Sequence, residues 1–193
     1  MNTLNTREIH QYNAIIYHVD VEDKIILVND KWLIFAKQND AGYLTFDYVR
    51  NKKIWDFITG IETKALYKMI FDNVRSKNQI ISLPFRCDSP DMNRFMNLQI
   101  EQYGNDQIKI TSHLVREEKR TFINLTQSET ESPDWKLYMC SWCKKIKIKD
   151  DQWVEIEEGI KYYNLFESFT SPRITHGICD KCYEIAIQEI NTH

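Results

Sequence analysis

Two pairs of cysteines, each with a two-residue gap, constrain this chain more than any other feature. Cys140 and Cys143 lie in "MCSWCKKIKIK", and Cys179 and Cys182 lie in "THGICDKCY". A two-residue gap lets both sulfurs of a pair reach one ion from a tight turn. Structural zinc sites take four soft ligands in this way, commonly as two pairs. Thirty-five residues separate Cys143 from Cys179. That distance is no obstacle, because loop-closure entropy grows only logarithmically with length.

Three readings of the four thiols are open. They could be reduced core residues, since free cysteine is often buried. They could form a reversible thiol switch, because Lys144 and Lys145 favour a thiolate at Cys143 and a helix N-terminus would do so at Cys182. They could bind structural zinc, for which the same features stabilise the thiolates. Zinc on Cys140, Cys143, Cys179 and Cys182 is the expectation. His176, three positions before Cys179, is an alternative ligand or a group that orients one. Four sulfurs leave no position for water, so the metal would be structural and not catalytic. Residues 136–193 number about 58, a size at which a hydrophobic core alone is marginal. Roughly 10–16 kcal/mol of apparent zinc affinity would then decide whether this part folds.

The rest of the chain reads as a separate unit. "AIIYHVD" at 14–20 and "KIILV" at 24–28 form a predicted hairpin around "VED". Asn29 or Asp30 can cap a helix in "DKWLIFAKQN". "IWDFI" at 54–58 is a short apolar turn. "IETKALYKMIFDNVRSK" at 61–77 reads as an amphipathic helix with Ile61, Ala65, Leu66, Met69, Ile70 and Val74 inward. Strands are predicted at 79–87, 94–103 and 107–115, with "YGND" turning between the last two. The order gives an α+β fold, a five-stranded antiparallel sheet with helices on one face. The polar stretch 117–135, ending in "TQSETESPD", is the expected linker. Beyond it, "KKIKIK" alternates as a half-buried strand. "WVEIEEGIKYYNLF" at 153–166 reads as a helix with Trp153, Ile156, Ile160 and Tyr163 inward, and a last helix covers 179–190. Residues 3–12 are a candidate helix for pairing protomers.

Charge and hydropathy narrow the function. Net charge is −3, and no apolar run approaches the ~20 residues of a membrane helix. The N-terminus lacks the basic lead and apolar core of a signal peptide. A cytoplasmic location with no membrane partner is expected. The lysines of "KKIKIK" raise nucleic acid, but acidic residues slightly outnumber basic ones over 136–193. The sequence therefore argues for a protein partner or a homo-oligomer over nucleic acid. No nucleophile–base spacing, glycine-rich phosphate loop or open metal site is present, so no enzymatic activity is expected.

"IIYHVDVEDKIILVN" and "WLIFAKQN" resemble the opening hairpin and first helix of a PAS domain, and the helix and three strands that follow come in that family's order. The resemblance covers about residues 10–116, followed by a linker and, over 136–193, a small zinc-ribbon-like α+β module. "FRCDSPDMNRFMNLQI" and "CSWCKKI…W…THGICDKC" are similar to a group of bacterial PAS-containing proteins ending in such a paired-cysteine module. The resemblance implies sensing or signal transduction, with a small-molecule ligand between sheet and helices. Trp32, Phe35, Trp55, Phe57, Tyr67, Phe71 and Phe85 are the aromatic residues that could line that cavity, or simply fill the core. Haem would need an axial ligand. His18, His113 and Cys87 are candidates, but such residues more often simply pack or face solvent, so haem is not expected. No cysteine lies between residues 29 and 77, which argues against flavin photochemistry. Arg86 and Arg94 flank the "CDSPDMN" turn and could hold an anion, or merely a surface ion pair with Asp91.

These features together predict a non-catalytic sensory or regulatory protein with a structural zinc module for protein interaction. The alternative is a thiol-based redox sensor whose paired cysteines oxidise and release metal.

Overall fold

The computed structural model of the chain describes residues 14–123, 125, 131–165 and 171–192. The candidate pairing helix at 3–12 lies outside them. The fold is α+β. Strands β1 (Ile15–Val19) and β2 (Ile25–Val28) form the predicted hairpin. Helix α1 (Asp30–Gln38) follows at once. Asn29 caps it, its side-chain oxygen accepting from the Trp32 amide at 3.0 Å. The same side chain takes the Ile16 amide and donates to the Ala14 carbonyl, tying the helix start to β1. A short helix α2 (Phe46–Val49) and a 3-10 turn at Ile54–Asp56 lead to α3 (Ile61–Lys77). Asn78, in the left-handed conformation, ends α3.

Strands β3 (Ile81–Arg86), β4 (Met92–Tyr103) and β5 (Gln107–Lys119) complete an antiparallel five-stranded sheet in the order β2-β1-β5-β4-β3. Ile81 pairs with Ile100, Leu83 with Leu98, and Ile100 with Ile110. All these side chains are buried in one cluster with Leu66, Ile70, Phe71 and Val74 of α3. The alternation of two along the strands meets the 3.6-residue repeat of the helix, and burying each large side chain is worth about 1.5–3 kcal/mol. The inward face of α3 is Thr63, Leu66, Ile70, Phe71 and Val74. Ile61 is 89 % exposed, and Ala65 and Met69 also face solvent. The stripe therefore lies about one residue further round the helix than the sequence suggests.

A second sheet, in the order β8-β7-β6-β9, is built from β6 (Glu131–Cys140), β7 (Ile146–Lys147), β8 (Trp153–Val154) and β9 (Ser171–Gly177). β6 begins inside the stretch expected to be linker, and it pairs in parallel with β9. Only Ile146 and Lys147 of "KKIKIK" are strand. The helix expected over 153–166 is shorter: Trp153 and Val154 are β8, and α4 spans Ile156–Tyr162. Ile156 and Ile160 are buried as expected, in a second cluster with Leu137, Met139 and Ile146. Gly159 is required there, since a Cβ would sit 2.9 Å from Cβ of Ile146. Helix α5 (Asp180–Asn191) ends the described chain.

The tail and the first sheet share one core. Cys140, Trp142, Cys179, Cys182, Ala186 and Ile190 belong to the same buried cluster as β3, β4 and α3. No helix among the described residues is long and apolar enough to cross a membrane.

Candidate metal centre

Each cysteine pair is placed by a different local device. Cys140 ends β6, and its amide donates to the Lys145 carbonyl at 2.8 Å. The Lys144 amide returns to the Cys140 carbonyl at 3.1 Å, and Lys144 takes a positive φ of 64° to close the turn. Its ammonium also donates to the Ser141 carbonyl at 2.8 Å. Cys179 is the N-terminal cap residue of α5, and Cys182 lies in the first turn of that helix. The partial positive charge of a helix N-terminus favours thiolate there.

Register then brings the two devices together. β6 and β9 pair in parallel, with Cys140 opposite Gly177, so each strand delivers its pair to the same end of the sheet. The Ser141 amide donates to the Gly177 carbonyl at 2.8 Å. Helix α3 braces both. The Thr63 and Ser141 hydroxyls lie 2.9 Å apart, and a Glu62 carboxylate oxygen accepts the Ile178 amide. Gly60, at φ 84°, lets the start of α3 approach β9, because a Cβ there would lie 2.7 Å from the His176 carbonyl oxygen.

The four sulfurs of Cys140, Cys143, Cys179 and Cys182 all lie within 4.8 Å of one another. Cys143 and Cys179, from different pairs, are 3.6 Å apart. Cys140, Cys179 and Cys182 are buried and Cys143 is half-buried. The Cys179 amide donates to the Cys140 sulfur at 3.4 Å, the kind of contact that supports a metal-bound thiolate. Hydrogen bonds from Cys143, Cys179 and Cys182 hold the Cys140 thiol far below its ordinary pKa. Their counterparts at Cys143 and Cys182, led by Cys140, push those thiols up. At Cys179 the Cys140 contact raises the pKa, but hydrogen bonds with Cys143 and Cys182 outweigh it and lower that thiol to about 7. Two thiols of the cluster thus ionise readily and two resist. A cation supplies the charge that would let the remaining thiolates form. Four convergent sulfurs can hold a metal ion, and they leave no ligand position open.

His176 is outside this group of four. It lies on β9 opposite Met139, and burial, with Lys144 nearby, lowers its pKa.

The remaining candidates scatter. Trp32, Phe35 and Phe85 line a cavity of about 280 Å³ together with Cys87 and Met96. Trp55 and Phe57 pack against the core elsewhere, with the Trp55 indole donating to Asp23 at 2.9 Å. Phe71 is fully buried, and Tyr67 meets Trp142 edge-on at 5.9 Å. His18 is buried against Tyr103, and Nδ1 of His113 is buried without a hydrogen-bond partner. Burial raises the pKa of Cys87.

The donors of Arg86 are met by the chain's own groups. It contacts Asp88 at 2.6 Å, Glu155 at 2.7 Å and Asn93 at 2.7 Å. Arg94 pairs with Glu117 at 3.4 Å and Asn39 at 3.1 Å, not with Asp91, which accepts from Ser89. Asp88 and Glu155 were missed in the sequence. Glu155 lies 69 positions from its partner, and no spacing rule reaches that far.

No protein-family model matches the chain, and no curated protein matches it.

Proposed function

We propose that this is a non-catalytic sensory or regulatory protein whose tail is fixed by one structural zinc ion on Cys140, Cys143, Cys179 and Cys182. The observation that carries the reading is the convergence of four sulfurs inside a core shared with the first sheet. Sulfur-only ligation favours zinc among common divalent ions. The strand order β2-β1-β5-β4-β3, with α1 to α3 inserted between β2 and β3, supports a PAS-like first unit. Such a unit would bind a small ligand or a partner, and the cysteine module would present a rigid surface to a protein or to a second copy. Reduced thiols suit a cytoplasmic setting. Metal analysis of protein purified without added zinc tests the centre. About one equivalent is expected, and a metal-free chain with four reactive thiols overturns it.

The 3.6 Å approach of Cys143 to Cys179 favours a second reading, a thiol-based redox sensor. Peroxide would take two electrons from the metal-bound Cys143 and Cys179 thiolates and two protons from solvent, leaving a disulfide between the pairs and two waters, and the metal would be released. Mass mapping after mild peroxide separates the two. Intact thiols with retained metal leave the first reading standing.

A further inference from the structure

We propose that the cleft between the first sheet and the cysteine tail is a binding site for an uncharged aromatic molecule. The cleft encloses about 530 Å³. Its lining includes Phe85, Phe95, Met96, Trp142, Trp153 and Ile185. That volume and that apolar lining with a few polar groups suit a small-molecule site, where ligand pockets run from about 300 to 1,000 Å³. The inference deepens the sensory reading by naming a ligand class and a place, and it does not depend on the identity of the metal.

Both halves of the protein build this site. Phe85 and Met96 come from β3 and β4, where they are cross-strand partners. Trp142 comes from the first cysteine turn, Trp153 from β8 and Ile185 from α5. Cys143, Cys179 and Cys182 also line the cleft, so a ligand would rest against the sulfur cluster. Phe85 and Met96 line the 280 Å³ cavity behind α1 as well. One side-chain pair thus separates the two spaces.

The chemistry of the lining selects the ligand. Four aromatic side chains and a thioether reward stacking and sulfur–aromatic contact. The charges are already matched. Arg86 is held by Asp88 and Glu155, and Lys145 stands 3.7 Å from Glu155. Asp180 and Lys181 carry opposite charges side by side. An anionic ligand would approach the negative sulfur cluster, and a cationic one would face Arg86, Lys145 and Lys181. A neutral ring system meets neither penalty.

The test uses the full chain as purified, labelled with 5-fluorotryptophan, and the neutral probe N-phenyl-1-naphthylamine. Saturable one-to-one binding is expected, with the fluorine resonances of Trp142 and Trp153 shifting. Trp135, which packs on Tyr163 instead, should stay still. Ile185→Trp fills the cleft and should weaken the probe at least about tenfold, the scale of one lost stacking contact. Absence of saturable binding overturns the proposal, as do shifts confined to Trp32, which would place the probe in the inner cavity. If the variant fails to fold, the spectra of the unaltered chain decide. Zinc content is measured on the same sample. Shifts at Trp142 and Trp153 without metal would sink the zinc reading and leave the ligand site standing.

Discussion

The main-chain amide of Arg86 donates to the carbonyl of Trp142 at 2.6 Å. This bond joins the end of β3 to the turn between the first two cysteines. The Arg86 side chain meanwhile grips Glu155, at the start of α4. One residue therefore fastens the first sheet to the tail at two points.

Replacing Arg86 with alanine should cost about 2–3 kcal/mol. Arg86 and Asp88 side chains are 9 % and 7 % exposed, and without Arg86 the buried carboxylate keeps only the Arg94 amide at 3.1 Å and the more distant Arg120 guanidinium at 3.6 Å. Glu155→Gln should cost no more than about 1 kcal/mol, because Glu155 is half exposed. Urea unfolding of the two variants measures both values, and equal losses would refute the asymmetry.

If the four cysteines hold the proposed zinc, stripping it should destabilise the whole described chain, since the cysteines sit in the core that also contains Leu66, Ile70 and Ile100. A chelator should lower the thermal midpoint seen by tryptophan fluorescence and by far-ultraviolet circular dichroism together. A first sheet that melts unchanged while the tail unfolds alone would contradict this.

Gly60→Ala should destabilise by about 1–3 kcal/mol, because the residue needs a positive φ and its new Cβ would press on the His176 carbonyl. Gly104→Ala is the control. Its φ is 57°, but nothing lies within 4 Å of its Cβ position. Gly60→Ala should lower the denaturation midpoint more than Gly104→Ala, because it adds a clash and a harsher backbone strain at φ 84°, ψ 129°.

Acid should weaken the fold through His18. Burial first, then Lys109, lowers its pKa below the usual 6.5, with Glu101 pulling the other way. The unfolded chain therefore takes up this proton at a higher pH than the folded one. Stability is full above the unfolded value and falls as pH drops through it. His18→Gln should flatten the change in urea midpoint between about pH 7 and 5. An unchanged slope would remove His18 as a cause.

Local signals in the sequence carried much of this architecture. The Asn29 cap, the span of α3 and the Tyr103–Asp106 turn are set by neighbouring residues, and they appear where periodicity and turn chemistry put them. The cysteine cluster was legible because the ligand spacing is itself local. The parallel pairing of β6 with β9 was not, because the partners lie as far apart as Glu131 and Ser171, or Cys140 and Gly177, and "ESPDWKLYMC" opens like a linker. The inward face of α3 was misread because Ile61 and Met69 are apolar yet exposed. The joint core of sheet and tail was hidden for the same reason as the β6–β9 pair: Trp142 and Ile190 meet β3 and α3 only after the chain has folded back.

β3 is an outermost strand of its sheet; α5 of the tail packs against it, and the Trp142 carbonyl takes its Arg86 amide. An uncovered strand border is a template on which a neighbouring molecule can polymerise. The cysteine tail therefore acts as a sheath as well as a module. A chain whose tail lifts away, as removal of the proposed zinc would allow, exposes a growth surface, and its hazard is clumping with its own copies before it is loss of shape.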